Sequence, residues 1–483
     1  MLSSSQQVSI GFRHVLDQLE LLTPLGAELA RHPKYYAPDE SDLLASEQAG
    51  LRELMDAVTN DTASINALMR LLMPVKDIRR SIERCGVITP SEVELFEIKR
   101  FLLQLRLIAP AYSALGIKLD GVEIEELAPA LDIIDPDGTR SPSFYVSDKH
   151  SPELARIRAE RKLIDEKIRQ AAFDPIASSG EEANALLAKR TLLAADEENE
   201  NARLRSEIGA ALAEFREPML RSINSIGALD YILAKARLAV AAEAVIPKVG
   251  GESFRFERMR NPYFSAALAS KGREFIPVSL KLVRGSTVIT GANMGGKSMA
   301  IKTLALNAML AMCGFAVFAD EAELPMIDGI FLLSEDKEDS EAGLSSFGGE
   351  ITAFDAMLRS TESMSSALVM LDEFARGTNP HEGAALVRAA AKLFNARESA
   401  FAVIATHFDG VAKLARLHYR VAGLANVSVE KLFADLSVDP GALAKHMDYG
   451  LYPVSPLEEP PRDAVTICKA LGVSKEFEDL IEV

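Results

Sequence analysis

The chain has 483 residues, 48% of them hydrophobic and 25% charged, which is too long for one core and ordinary for a water-soluble globular protein of several domains. Lys plus Arg number 53 against 70 Asp plus Glu, and a net charge of −17 argues against a general polycation for nucleic acid, although a local basic face stays possible. Three cysteines without a CxxC pair, apolar runs far shorter than a membrane span, and an amino terminus (MLSSSQQVSIGFRHV) without the basic-then-apolar order of a signal peptide together predict a reducing, cytoplasmic setting with neither disulfide framework nor zinc site.

Residues 1–150 read as helices. In LLTPLGAELARH a Thr-Pro start precedes an apolar-periodic run, and INALMRLLMPVKDIRRSIERC repeats apolar positions at three- and four-residue spacing. TPSEVELFEIKRFLLQLRLI follows, with Thr89 as N-cap, Pro90 at the first helical position and Glu92 closing a capping box. The Pro-, Gly- and Asp-rich LDIIDPDGTRSPSFYVSDKHSP must turn. Residues 151–245 read as long charged helical arms, paired antiparallel through the short break AAFDPIASSG and returning to the core. The first arm holds Arg156, Arg158, Arg161, Lys162, Lys167 and Arg169. A DNA-contacting stripe is one reading, but the interleaved Glu153, Glu160, Asp165 and Glu166 favour an ordinary solvated helix face.

After Pro247 the pattern changes. STVIT, GFAVFAD, DGIFLLS, ALVMLDE and AFAVIAT are short β-rich runs separated by helical stretches, the alternation of a parallel sheet covered on both faces. The predicted fold class is therefore mixed: an all-α N-terminal region, then an α/β domain over residues 246–430 with a mostly parallel sheet, which the motifs below make a P-loop NTPase domain, then a helical tail over 431–483.

Two stretches carry chemistry. Gly291-x-x-x-x-Gly296-Lys297-Ser298 directly follows STVIT and opens the helical SMAIKTLALNAMLAM, the context a phosphate-binding loop requires. Its glycines let backbone N–H groups approach phosphates, and the helix N-terminus adds a positive pole. Lys297 is expected on the β and γ phosphates of ATP, and Ser298 on Mg²⁺. LVMLDE ends an apolar strand in Asp372 and Glu373, the first suited to hold Mg²⁺ through its water shell, the second to orient and deprotonate the attacking water. Alone, an apolar run closed by two carboxylates is weak; downstream of a phosphate loop it is specific. AFAVIATHF adds His407 at a third strand end, where an imidazole can contact the γ-phosphate.

GANMGGKS, the Ser345-Ser346-Phe347-x-x-Glu350 segment, LDEFARGT and ATHF, in this order, resemble the ATPase domain of the MutS family, the DNA mismatch-repair relatives of the ABC-type ATPases. Asn293, Met294 and Gly295, followed by Gly296 and Met299, match that group's phosphate loop. MRNPYF and REFIPVSL stand where the family has a nucleotide-proximal loop and an adenine-stacking aromatic, which makes Phe275 the candidate base contact, with a core phenylalanine as the competing reading. The resemblance implies a homodimer that sandwiches ATP, Ser345 reaching the partner's γ-phosphate beside Ser346, and the loop from Arg376 to Pro380 at the dimer seam. It also implies lever helices over 1–150, a shortened clamp-like hairpin over 151–245 and a dimerisation tail at 431–483.

The departures from that family set the expected function. The chain reads as a short form without the mismatch-reading, connector and C-terminal nuclease domains, although LSSF and GTNPHEGAAL look closer to the MutS subfamily that carries the nuclease. The first expectation is an ATP-hydrolysing protein that binds mismatched or distorted DNA through shape and charge. The alternative is the ATPase component of a reactivation system for a cobalamin-dependent amino acid aminomutase, a protein client with no DNA role.

Overall fold

The computed structural model describes residues 2–173, 180–291, 296–334, 346–423 and 448–455, with 474, 476, 477 and 480 beyond them. Its helices are α1 (Ser4–Ser9), α2 (Phe12–Asp17), α3 (Pro24–Arg31), α4 (Ser41–Asn60), α5 (Thr62–Leu72), α6 (Arg79–Arg84), α7 (Glu92–Ala114), α8 (Ala128–Ile134), α9 (Pro152–Phe173), α10 (Gly180–Leu212), α11 (Arg216–Ala241), α12 (Pro262–Ala269), α13 (Lys297–Met312), α14 (Ser346–Ser360) and α15 (Pro380–Ala396). Its strands are β1 (Lys248–Val249), β2 (Phe254–Met259), β3 (Val278–Leu282), β4 (Gly285–Thr290), β5 (Glu321–Leu324), β6 (Gly329–Leu333), β7 (Ala367–Asp372), β8 (Ala400–Ala405), β9 (Leu417–Gly423) and β10 (Asp448–Pro453). Two compact units result: Glu20–His32 with Asp56–Ala234, and Met1–Leu19 with Pro33–Met55 and Lys235–Val483.

The first of these is helical. Thr23 caps α3 by accepting from the Gly26 N–H, with Pro24 in the first turn, as its Thr-Pro start predicts. The buried Asp230 carboxylate accepts from the Leu22 and Thr23 N–H groups and from the Thr23 hydroxyl, which fixes the chain entering α3. The start of α7 falls two residues later than the sequence predicts: Ser91, not Thr89, is the N-cap, and Glu94 rather than Glu92 closes the box. The reason is tertiary. Pro90 is buried against Gly209, where an added Cβ would lie 2.8 Å from Pro90 Cδ, so the proline belongs to the packed approach and not to the helix.

The two arms pair as predicted, although the break at 174–179 lies outside the described residues. Ile157 and Ile164 of α9 pack on Leu193 of α10, with Leu186 and Ile168 against them. The cations of α9 do not form a free stripe. Arg158 and Arg161 both hold Glu197, Lys189 holds Glu160, Arg190 holds Asp165, and Arg156 pairs with Glu153 on its own helix. Three of the six α9 cations are thus taken up by carboxylates, one on α9 itself and one on α10, while Glu160 and Asp165 of α9 hold cations of α10.

The second unit holds two sheets. The six-stranded sheet runs β10-β9-β4-β8-β7-β6, parallel throughout except for β10, which pairs antiparallel with β9. The four-stranded sheet runs β1-β5-β2-β3. Strands β4, β7 and β8 are buried at every residue, as strands covered on both faces must be. Val369, Leu371, Ala402 and Ile404 point to one face, where Val387, Ala391 and Phe394 of α15 and Phe354 of α14 pack. Helix α13, buried along most of its length, covers the other.

Two elements depart from expectation. GFAVFAD is buried up to the exposed Asp320 but is no strand; among its residues only Val317 bridges, to Val245. Its backbone is satisfied otherwise, Phe318 donating to the Asn307 side chain at 2.8 Å and accepting from the Arg260 N–H at 2.7 Å, so no ladder is needed. Within the stretch read as a helical tail, Asp448–Pro453 is strand β10, because its alternate residues extend the sheet beside β9; the rest of 431–483, apart from a few residues, lies outside the described residues. No helix among the described residues is long and apolar enough to cross a membrane.

Candidate active site

Strand register brings the candidate residues to one edge. Ile289 of β4 and Asp372 of β7 both stand opposite Ala405 of β8. The Thr406 N–H donates to Ile289 O and the Glu373 N–H to Ala405 O, each at 3.0 Å, so three chain ends turn out of the sheet together. Gly291, Asp372–Glu373 and Thr406–His407 follow those three strands, at the carboxyl end of a parallel sheet where α/β folds hold ligands. With β8 between them, β4 and β7 are separated by about 10 Å, a gap that suits a phosphate and a hydrated cation.

Glycine is required twice in the loop. Gly296 has φ +88 and caps α13; Gly291 has φ +139 with its Cα face against Val421. Asn293, Met294 and Gly295 lie outside the described residues. Lys297, the first residue of α13, is 3% exposed, and its Nζ donates to Gly291 O at 2.6 Å and stands 3.5 Å from Glu373 Oε1. Burial pushes its pKa down from the usual lysine value, while Glu373 and Asp372 oppose that shift.

Asp372 is 8% exposed. Burial raises its pKa above the usual carboxylate range, a hydrogen bond from the Ser298 side chain acts the other way, and Glu373 adds to the rise. Its Oδ1 has no hydrogen-bond partner among the described residues. A buried, orphaned carboxylate oxygen beside an exposed serine hydroxyl at a helix N-terminus is a donor set that would fit a hydrated Mg²⁺.

Glu373 is gripped on both sides, by Lys297 and by Arg376 Nη1 at 2.9 Å. Its backbone is left-handed, φ +55, and so is that of Ala375, φ +62. Such conformations cost non-glycine residues about 1–2 kcal/mol each and persist only where the surroundings enforce them. His407 is exposed, its ring tilted on Phe408 with centroids 4.5 Å apart. Partial desolvation lowers its pKa, Glu373 pulls it back up, and the Lys297 and Arg376 cations push it down, which puts the ring within electrostatic reach of all three.

The remaining candidates separate. Met299 stands at the loop, its Cε 3.6 Å from where a Cβ on Gly296 would sit. Phe275 lies half-buried in the loop before β3, sharing no hydrogen bond or ring contact with the phosphate-loop residues among those described. Ser346 opens α14, and Ser345 lies outside the described residues. In the Arg376–Pro380 loop, Asn379 caps α15 by accepting from the His381 N–H, with Pro380 in its first turn. Sequence reasoning missed Tyr449, whose Cδ1 is 3.3 Å from a Cβ placed on Gly296; it sits on β10, within a stretch read as helix. It also missed Arg376 as the partner of Glu373, for which the three-residue spacing was the available signal.

Comparison with known proteins agrees with this geometry. Residues 287–470 match MutS domain V. Endonuclease MutS2 of Enterococcus faecalis is 31% identical over 236 residues, covering 48% of this chain and 29% of that protein. DNA mismatch repair protein MutS of Thermus aquaticus is 32% identical over 207 residues, 42% of this chain and 24% of the relative. DNA mismatch repair protein Msh3 of Homo sapiens is 28% identical over 289 residues, 56% of this chain and 25% of the relative. The chain thus spans less than a third of the length of each of these relatives. A phosphate loop and a carboxylate strand joined through β8 thus lie within a segment that matches MutS domain V and is similar to proteins of the MutS family.

Proposed function

We propose that this protein binds ATP at the edge formed by β4, β8 and β7 and hydrolyses it, closing as a homodimer around the nucleotide. The observation that carries the reading is the convergence of Lys297, Ser298, Asp372 and Glu373 on one sheet edge, with a buried Asp372 oxygen that lacks a partner. Lys297 leaves Gly291 O and Glu373 and turns its charge to the phosphates. Ser298 and Asp372 would hold Mg²⁺, whose chemistry there would be to offset negative charge on the phosphates. Glu373, released by Lys297, orients a water and takes its proton, with Arg376 keeping the carboxylate in position. His407, at the neighbouring strand end, is assigned as a donor to the γ-phosphate, and its lowered pKa favours the neutral ring with a single N–H to give.

The names of the relatives, an endonuclease and two DNA mismatch repair proteins, favour a nucleic-acid client over the aminomutase client. The internal pairing of Arg156, Arg158 and Arg161 makes the α9–α10 arm a weak electrostatic anchor, so DNA is held by shape more than by charge. Two experiments test this. Lys297→Ala should abolish binding of a fluorescent ATP analogue; retained affinity would remove the phosphate loop from the reading. Fluorescence anisotropy with homoduplex, mismatched and four-way-junction DNA, with and without ATP across a salt series, should show ATP-responsive binding to one distorted form. Equal indifference to all three at low salt, from protein that hydrolyses ATP, would redirect the search to protein clients.

A further inference from the structure

The turn that carries Glu373 is left-handed at Glu373 and again at Ala375, and Ala375 is fully buried. Its N–H, turned away from the β7 ladder, needs an acceptor inside the protein. That acceptor is a side chain from another element: Glu350 Oε1 of α14, at 3.0 Å. One helical turn further along, Phe354 stacks on Phe374, ring centroids 4.6 Å apart and planes 26° from parallel. Residues four apart share a helix face, so a single face of α14 grips two consecutive residues of the turn. A second helix also meets the turn: Gly383 of α15 lets the Ala375 carbonyl approach to within 2.7 Å of where a Cβ would stand. Glu373 has no such freedom of its own, because its N–H is committed to Ala405 O.

We propose that Glu350 is a positioning residue for hydrolysis, holding the strained turn so that the Glu373 carboxylate points at the attacking water, and that through it α14 and the general-base turn move as one body. The proposal rests on the ATPase reading above. Toward the turn Glu350 acts as a hydrogen-bond acceptor, and what the Ala375 N–H needs from it is an oxygen at the right reach. A glutamine offers the same oxygen on the same chain length. Aspartate keeps the charge but falls a methylene short.

The test is single-turnover ATP hydrolysis together with equilibrium binding of mant-ATP to the full chain, for the parent and three variants, each checked by thermal unfolding. Glu350→Ala and Glu350→Asp should lose at least about tenfold in hydrolysis while mant-ATP affinity stays within about threefold, because the loss falls on the chemical step. Glu350→Gln should stay within about threefold of the parent in both measurements, since the N–H to oxygen bond survives. If Glu350→Ala does not fold, Glu350→Asp carries the same comparison. Parent-rate hydrolysis by Glu350→Ala or Glu350→Asp overturns the proposal, as does a Glu350→Gln enzyme as slow as Glu350→Ala, or a fall in affinity that matches the fall in rate. A parent protein that binds mant-ATP without hydrolysing it is a different result: it removes the ATPase reading itself, and this proposal with it.

Discussion

Replacing Glu373 by glutamine separates two jobs that the proposed mechanism gives the carboxylate. As general base it should be worth a factor of about 10²–10⁴ in rate. As the partner of Lys297 it opposes nucleotide binding, because the lysine must give up a carboxylate to reach a phosphate. At 3.5 Å, with both side chains largely buried, the gross attraction is about 5 kcal/mol at an effective dielectric of about 20. Residual hydration of Lys297 and the competing hold of Arg376 on Glu373 offset most of this, leaving about 1 kcal/mol, or a factor of about five in affinity. Glu373→Gln should therefore hydrolyse ATP at least about a hundredfold more slowly yet bind it about fivefold more tightly. Single-turnover hydrolysis with labelled ATP gives the first number, and competition against mant-ATP gives the second. Parent-rate turnover would refute Glu373 as the base. Weaker binding would refute the view that Lys297 is held back by it.

Three further outcomes follow from contacts described above. Gly383→Ala should lower stability by about 1–3 kcal/mol, since its Cβ would meet the Ala375 carbonyl and the Phe408 ring, each at 2.7 Å; an unchanged thermal midpoint would mean that the turn yields freely. Lys235 is buried with Nζ 2.6 Å from Glu47 and bonded to the Cys313 carbonyl, so Lys235→Met should cost about 3–5 kcal/mol by urea unfolding. Removing both partners, Lys235→Met with Glu47→Leu, should restore part of that loss; a double variant worse than the single would contradict an uncompensated charge as the cause. Alkaline pH should also destabilise the fold. Burial pushes the Cys313 thiol up to about 12 and the Cys85 thiol up to about 11, both above the value of 9.0 expected when unfolded. The folded state then binds more protons above pH 9, so the stability contributed by these thiols is complete below pH 9 and drains away as pH rises towards their folded values. Urea midpoints measured between pH 8 and 10 should fall less steeply in Cys313→Ala than in the parent, and an identical slope would count against the thiol as its source.

What the sequence revealed and what it concealed divide along physical lines. Gly291 to Ser298 and Asp372–Glu373 were legible because their chemistry is local: a glycine that needs positive φ, a lysine opening a helix, carboxylates ending an apolar strand. The alternation of strands and helices likewise exposed the parallel sheet, since burial on both faces leaves unbroken apolar runs. The failures needed partners distant in sequence. Thr89 and Ser91 offer equally good capping boxes, and only Gly209, far along the chain, decides between them by receiving Pro90. GFAVFAD has a strand's composition, but Asn307 takes the N–H that a strand would use. The left-handed turn at Glu373 and Ala375 goes against residue preference, and its support, Glu350, comes from a different helix. Phe275 was named on resemblance; it lies half-buried in the loop before β3, where no local pattern marks a base contact.

The unit that holds the phosphate loop is assembled from three separate stretches of chain, Met1–Leu19, Pro33–Met55 and Lys235–Val483. Asn261 donates to Ile10 O, Gln6 to Leu332 O, the Tyr36 N–H to Met312 O, and Lys235 pairs with Glu47, so the early stretches are structural members of that unit and not appendages. During synthesis those early residues leave the ribosome long before the segments they pack against, and must wait while the intervening helices emerge. At the usual pace of translation that wait lasts about 10–40 s, time enough for the intervening helical unit to close first. An expression clone begun at residue 246 would produce the phosphate loop and both carboxylates but strip Ile10, Phe12, Val15, Leu44 and Leu51 from the core around them. Such a truncation is expected to be insoluble, and a soluble preparation of the phosphate-loop unit is expected to need the first fifty-five residues, as one chain or as two fragments mixed before refolding.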